Sequence, residues 1–327
     1  MKSQQLFIKQ LFKIMKSNLK ICAVVVTFNR KELLLRTLNG LDQQTLPVHT
    51  IVVIDNASTD GTNELLQKSG YLDKPNLLYH KLDTNTGGAG GFYEGTKIAH
   101  QSDVDWIWLM DDDGYPSETC LEALLEYQDQ FDFYGPLVLS DQDKMSLSFP
   151  ITLPTTKKII RNKDQLEAIN LNKNVLVDVL VPFNGVLLRA SLASTIGYPL
   201  AKFFIWGDDI EYTKRANQAG ARIATITDIE FYHPTAPSLG TFMFFGKMQF
   251  NDTDSKIKLY CLCRNNTANL KKYHGNSHAL LFIIKTIWFY SFTRPSLKKL
   301  KFSVYGLLAG WLNDFSKHSQ FIGKTFE

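Results

Sequence analysis

Three carboxylates stand side by side at Asp111-Asp112-Asp113, directly after the apolar run Trp106-Ile107-Trp108-Leu109-Met110. Adjacent carboxylates repel one another, and burial without a partner makes that cost severe. A divalent cation removes it. In an extended segment residues i and i+2 point the same way, so Asp111 and Asp113 can share one ion while Asp112 faces elsewhere. Oxygen ligands favour Mg²⁺ or Mn²⁺, with phosphate oxygens to complete the shell. A helix cap or a solvated turn before Ser117 is the plainer reading. The position at the end of a core strand favours the metal.

A second acidic cluster lies in Phe203-Phe204-Ile205-Trp206-Gly207-Asp208-Asp209-Ile210-Glu211-Tyr212. Aromatic surroundings leave less water to solvate the acids, which raises their basicity, so Asp209 or its neighbour Asp208 could accept a proton from a hydroxyl. The same residues also cap a helix, with Glu211 and Arg215 at i,i+4 spacing. His233 follows 24 residues after Asp209. A lone histidine is seldom a ligand, but here it could complete a carboxylate and phosphate metal shell. Asn85-Thr86-Gly87-Gly88-Ala89-Gly90-Gly91-Phe92 reads as a loop whose backbone can approach a ligand closely. It lacks the context of a dinucleotide fingerprint, since it does not follow the first strand.

These residues need a scaffold, and the pattern supplies one. Ile21–Thr27, Thr50–Ile54, Asn76–Leu82 and Trp106–Met110 are short apolar runs typical of buried strands. Helical spacing fills Lys31–Gln44, a capped segment from Ser58, and Gly95–Gln101. The βαβαβ rhythm predicts an α/β fold, a mostly parallel sheet with helices on both faces, which binds ligands beyond the C-terminal strand ends. Thr27, Asp55 and the acid triplet fall at such ends, and the remaining strand leads into Asp83. Further strands are expected at Gly135–Leu139, Val175–Val181, Gly185–Arg189 and Arg222–Ile226, with a helix over Asp209–Ala219. Residues 140–174 have too little periodicity to place.

The 327 residues carry a net charge of +4 that hides an asymmetry. Residues 1–20 hold +5 and residues 256–327 hold +10, which leaves −11 on residues 21–255. An acidic body with basic, aromatic ends argues against a nucleic-acid groove and for flanks that rest on anionic lipid. The expected organisation is an amphipathic N-terminal segment (1–20), a catalytic domain (21–255) and a C-terminal helical region that associates with membrane or with a second copy (256–327). No segment has the roughly 20 apolar residues of a membrane span. Ala279–Thr293 reads as an interfacial helix. The four cysteines suggest a reducing compartment, and Cys261-x-Cys263 lacks a second pair for zinc.

Taken together, Val24-Val25-Val26-Thr27-Phe28-Asn29-Arg30, Val53-Ile54-Asp55-Asn56-Ala57-Ser58-Thr59-Asp60-Gly61, Met110-Asp111-Asp112-Asp113 and Trp206-Gly207-Asp208-Asp209-x-Glu211-Tyr212-x-x-Arg215 resemble glycosyltransferase family 2. Members of that family have the GT-A fold. The Asn85–Phe92 segment and the triplet are similar to its bacterial galactofuranosyltransferase branch, and Tyr260-Cys261-Leu262-Cys263-Arg264-Asn265 is similar to a segment that often follows there. The resemblance implies that Thr27, Asn29, Asp55 and Asp83 hold the nucleoside, with Asn56, Asp112, Trp206, Gly88, Gly90 and Gly91 also in the donor site. It implies a metal, Mn²⁺ or Mg²⁺, on Asp111, Asp113 and His233, and Asp209 as general base with Asp208 as the alternative. The expected reaction is inverting transfer of galactofuranose from UDP-galactofuranose to a lipid-linked or growing bacterial surface polysaccharide, on the inner face of the cell membrane. A rhamnosyltransferase using dTDP-rhamnose is the close alternative. A nucleotidyltransferase would want a basic residue in a Gly-rich loop near the first strand, and a non-catalytic membrane scaffold would not need the acids. Either a monomer or a homo-oligomer is compatible with the sequence.

Overall fold

The computed structural model describes residues 19–169, 174–180, 182–235, 240–243, 246 and 248–326. Nearly all of the amphipathic N-terminal segment therefore lies outside the described residues. The chain divides into two compact units. One comprises residues 1–85, 91–198 and 215–235; the other comprises 86–90, 199–214 and 236–327.

The first unit is built on a twisted sheet. Its elements are β1 (Ile21–Thr27), α1 (Lys31–Asp42), β2 (Thr50–Asp55), α2 (Thr62–Lys68), β3 (Leu77–Lys81), α3 (Gly87–Gln101, beginning in the other unit), β4 (Trp106–Asp111), β5 (Tyr115–Pro116), α4 (Cys120–Leu124) and β6 (Phe133–Ser140). They continue through β7 (Ser146–Thr152), β8 (Ile159–Asn162), α5 (Lys163–Glu167), β9 (Val175–Val177), β10 (Asn184–Arg189), α6 (Ala190–Ile196), α7 (Asp208–Gln218, which crosses from the other unit) and β11 (Ile223–His233). The sheet order is β3-β2-β1-β4-β10-β6-β11-β5. Strands β3, β2, β1 and β4 run parallel, as do β6 and β11, while β10 is inserted antiparallel between β4 and β6. This mostly parallel arrangement agrees with the α/β reading.

The register sets the site. Thr27 pairs with Asp55 and Val26 with Asp111, so three candidate residues reach one sheet edge together. Alternate residues Ala23, Val25, Val53, Trp108 and Met110 pack into one core with Leu34, Leu38 and Leu41 of α1 and with Leu121 and Leu124 of α4. The fully buried runs explain why these strands read as continuous apolar stretches.

Two expectations change. The glycine-rich segment is not a loop: α3 begins at Gly87 rather than Gly95. Glycine is usually a poor helix former, but here the missing Cβ lets α3 lie on β1. A Cβ at Gly91 would stand 2.4 Å from Val26, and one at Gly95 would stand 2.3 Å from Val24. Residues 140–174, unreadable in sequence, contain β7, β8 and α5, whose Leu147, Ile151, Ile160 and Leu166 join the same core.

The second unit holds the hairpin β12 (Gly240–Met243) and β13 (Met248–Asn251), then α8 (Lys256–His274), α9 (Asn276–Trp288), a π-helical turn at Phe289–Thr293 and α10 (Leu297–Trp311). Its core joins Phe250, Leu259, Leu262, Phe289, Tyr290 and Leu307. Helix α10 lies against α8 because Gly306 and Gly310 present no side chain. A Cβ at Gly310 would stand 2.2 Å from the Arg264 carbonyl oxygen. All four cysteines are buried and free.

Candidate active site

The acid triplet ends β4, and α1 shapes the turn that follows. Thr37 Oγ1 lies 2.8 Å from the Asp112 carbonyl and 2.7 Å from that of Gly114, and Arg36 Nη2 donates to the Asp113 carbonyl at 2.8 Å. Beyond the triplet the backbone must pass the ring of Phe231. A Cβ at Gly114 would lie 2.3 Å from it. Only glycine allows that approach, which brings Asp113 level with the end of β11, where His233 sits.

The three acids diverge. The buried Asp112 turns to β1: its Oδ2 accepts from Thr27 Oγ1 at 2.7 Å and from the Phe28 N–H at 3.3 Å, and its Oδ1 pairs with Arg30 at 3.2 Å. Burial pushes its carboxyl up to about 6, against the pull of Arg30 and Thr27. Asp113 Oδ2 takes Arg30 Nη1 at 2.5 Å, and its Oδ1 faces His233 Nε2 at 3.0 Å. Burial works to raise the Asp113 carboxyl, but the contacts with His233 and Arg30 outweigh it and hold the group below the ordinary range. Arg30 thus offsets part of the mutual repulsion of the triplet.

His233 Nδ1 lies 2.6 Å from the Pro234 carbonyl, which can only accept, so Nδ1 carries the proton. Nε2 then faces a carboxylate oxygen, and that contact needs positive charge between the two atoms. A proton on Nε2 meets that need, and so does a metal ion. Two cis ligands at about 2.1 Å from an octahedral Mg²⁺ or Mn²⁺ are about 3.0 Å apart, and a backbone carbonyl on the far nitrogen is the usual support for a metal-bound histidine. Asp113 and His233 therefore fit a divalent ion. No three of His, Cys, Asp and Glu among the described residues come close enough to cage one. Asp111 is not gathered with the pair; its N–H donates to the Phe183 carbonyl at 3.1 Å. Of the three expected ligands, the structure brings Asp113 and His233 together. Phe149 of β7 packs on the His233 ring at 5.0 Å, and Ser148 Oγ donates to its carbonyl at 2.9 Å.

The expected nucleoside residues cluster at the ends of β1 and β2. Asp55 is buried; its Oδ1 accepts the Ser58 N–H at 2.7 Å and its Oδ2 accepts Tyr79 Oη. The Asn56 N–H donates to the Thr27 carbonyl at 2.9 Å. Asn29 is exposed, with φ +53°, and its Oδ1 accepts the Thr59 N–H at 2.7 Å. Asp83 lies exposed beyond β3. Of the glycines, Gly91 faces Val26 and Gly90 faces Thr86, while Gly88 borders open space.

In the second unit, the segment before Asp208-Asp209 is held in an unusual conformation. Phe204, Trp206 and Gly207 have φ of +65°, +63° and +89°. Such values cost a non-glycine residue about 1–2 kcal/mol and persist only when the surroundings over-determine them. Here α8 does so. Asn265 Nδ2 reaches the carbonyls of Phe203 (3.0 Å), Ile205 (2.9 Å) and Trp206 (2.6 Å). Arg264, fully buried, donates through Nη2 to Phe203 at 2.8 Å and Lys202 at 3.2 Å, and Asn269 Nδ2 donates to Gly207 at 2.8 Å. Asp208 is buried and Asp209 is partly exposed. Burial raises both carboxyls, and for Asp208 the Asp209 charge adds to it. Glu211 is held by Lys272 at 2.9 Å and by Tyr273 Oη at 2.6 Å. Of the two, Asp209 is the more accessible.

Residues 22–193 match the glycosyl transferase family 2 profile. The chain belongs to glycosyltransferase family 2. It is an enzyme of that family, and its sequence is galactofuranosyltransferase-like. It is 30% identical over 285 residues to the galactofuranosyltransferase GlfT1 of Mycobacterium tuberculosis H37Rv, covering 86% of this chain and 91% of that one. Its GT-A fold resembles the crystal structure of Staphylococcus aureus TarS (TM-score 0.53, 19% identity), spanning 93% of this chain and about half, 49%, of TarS. Against TarS 1–349 in complex with UDP-GlcNAc the TM-score is 0.54 at 18% identity, over 91% and 89% of the two chains.

For this family 2 glycosyltransferase, the sequence left several site residues without a role. Arg30 follows Asn29 inside a quoted motif, yet only the fold shows that it spans Asp112 and Asp113. Phe149 comes from the segment with no readable periodicity. Arg264 and Asn265 were visible as a motif, but their targets lie some 60 residues away in sequence.

Proposed function

We propose that this enzyme transfers galactofuranose, with inversion, from UDP-galactofuranose to a lipid-linked or growing surface polysaccharide, and that it uses Mn²⁺ or Mg²⁺. The similarity to GlfT1 over most of both chains supports the donor. The observation that supports the metal dependence is the approach of Asp113 Oδ1 to His233 Nε2 at 3.0 Å, with the other ring nitrogen turned to the Pro234 carbonyl. When bound there, the ion neutralises charge developing on the leaving diphosphate. Thr27, Asn29 and Asp55 lie along one sheet edge and are assigned to the nucleoside. Asp209 accepts the acceptor hydroxyl's proton as that oxygen attacks the anomeric carbon from the face opposite the departing diphosphate, so no covalent enzyme intermediate is required.

Among the described residues no helix is long and apolar enough to cross a membrane. A peripheral position on the inner face of the cell membrane suits a lipid-linked acceptor and the basic C-terminal region.

Two measurements test this reading. The chain, supplied with Mn²⁺ and a panel of nucleotide sugars, is expected to consume UDP-galactofuranose. Consumption of dTDP-rhamnose instead would assign it to rhamnosyl transfer. Asp209→Asn is expected to bind UDP as the native chain does and to lose transfer; full retained activity would move the base to another acid.

A further inference from the structure

Helix α9 carries its apolar residues on both sides. One side, with Ala279, Thr286 and Phe289, is buried in the second unit. The other presents Leu280, Leu281, Ile284, Ile287, Trp288 and Phe292 to solvent, with Leu281, Ile284 and Phe292 exposed by 63%, 59% and 67%. The steps 281, 284, 288 and 292 follow helical periodicity, and the Trp288 and Phe292 rings touch at 4.6 Å. Leu297, just beyond, is 75% exposed. A continuous apolar stripe of this kind is uncommon on a free surface and marks a contact.

The charges nearby say which contact. Residues 256–313 contain ten Lys or Arg and no Asp or Glu. Lys298 and Lys301, on α10 immediately after the stripe, are exposed. Arg294 and Lys299 are directed instead to Asp252, at 3.1 Å and 2.8 Å, fixing the turn between the two helices. With 13 residues α9 is about 20 Å long, short of the roughly 30 Å hydrocarbon core of a bilayer. An apolar stripe beside cations, on a helix too short to span, matches an anionic lipid surface with the helix lying in its plane.

We propose that the outward face of α9, continued by Phe292 and Leu297 and flanked by Lys298 and Lys301, is the surface by which this enzyme docks on anionic lipid. This rests on the peripheral reading above and names its contact face. A soluble polyanion would use the lysines but leave the apolar stripe in water; a bilayer uses both.

The test is flotation of the full-length chain with vesicles of equal phosphatidylglycerol and phosphatidylcholine, against vesicles of phosphatidylcholine alone. The native chain is expected to float with the anionic vesicles and to be released by high salt in part only. Leu281→Glu/Ile284→Glu/Phe292→Glu is expected to weaken flotation at least about tenfold, with UDP-galactofuranose hydrolysis unchanged. Lys298→Glu/Lys301→Glu is expected to weaken it less and to remove most of the salt dependence. Should the glutamate variant fail to fold, judged by its thermal transition, the corresponding triple serine variant takes its place. Flotation equal to the native chain in all these variants would overturn the α9 face while leaving peripheral binding intact. Failure of the native chain to float on either vesicle would remove both. A native dimer that the triple variant converts to a monomer by light scattering, with flotation unaltered, would assign the stripe to a second copy.

Discussion

Asn265 is the residue on which the geometry of the Asp208-Asp209 segment turns. Its amide serves the carbonyls of Phe203, Ile205 and Trp206 in a stretch where Phe204 and Trp206 have positive φ. Replacement by alanine removes those bonds and leaves buried acceptors unsatisfied. At about 1 kcal/mol for each net hydrogen bond, the loss is roughly 2–3 kcal/mol. The two strained residues store roughly 2–4 kcal/mol, which drives the segment to relax once the clamp is gone. If the full loss falls on the population of the competent loop, turnover drops about 30- to 150-fold. Thermal stability falls little, because relaxation returns the strain. The assay is steady-state transfer beside calorimetric UDP binding, with UDP affinity expected to stay within about threefold. Asn265→Asp is expected to be at least as damaging, since it turns a carboxylate toward carbonyl oxygens. Asn266→Ala serves as the neighbour control, because its amide reaches only Leu262 in its own helix at 3.0 Å. A folded Asn265→Ala chain with native turnover would refute the idea that α8 holds the acidic segment in its working conformation.

The pH profile of kcat/KM is expected to rise through an apparent value above the usual carboxylate range, because burial raises Asp209 and the base must be ionised to work; a profile flat from pH 5 upward would contradict this. Asp208 also has a raised folded value, so its contribution to stability is present at low pH and lost as pH rises through that value. Asp208→Asn is accordingly expected to flatten the fall of the thermal midpoint as pH rises from the ordinary carboxylate value toward about 8. His233→Ala and Asp113→Asn are each expected to weaken Mn²⁺ binding by at least about tenfold in titration calorimetry with UDP present, whereas Asp111→Asn is expected to weaken it less. Gly310→Ala forces a methyl against the Arg264 carbonyl and is expected to cost about 1–3 kcal/mol, read as a lower thermal midpoint.

Much of the scaffold was legible because its signals are local. The strand Ile21–Thr27 has the bounds that its β-branched run implies, and the acids at 111–113 stand where β4 meets the sheet edge. Alternation set Asp112 apart from the other two acids; it does bond Thr27, but it also meets Asp113 at the shared Arg30 nitrogen, because the strand ends at Asp111. What the sequence hid depends on distant partners. The glycine-rich segment read as a loop until Val26 and Val24 are seen to require the bareness of Gly91 and Gly95. Arg30 had no role in the sequence reading, and its pairing with two acids 82 and 83 residues away could not be read from spacing. The hairpin behind Phe149 lacked clean alternation because part of it lies on the core and part carries polar groups. Arg264 was the hardest case: a fully buried guanidinium satisfied by carbonyls has no compositional signature.

The bare stripe of Gly306 and Gly310 has a mechanical meaning. At Gly306 and Gly310 helix α10 comes close to the α8 backbone at Tyr260 and Arg264, with only the small side chains of Cys263 and Thr267 beside the contact. Interfaces with such short spacers shift as one piece rather than by rearranging rotamers. A push on the outer helices of this unit is therefore delivered, nearly undamped, to the stretch of α8 whose Arg264 and Asn265 grip residues 202–206.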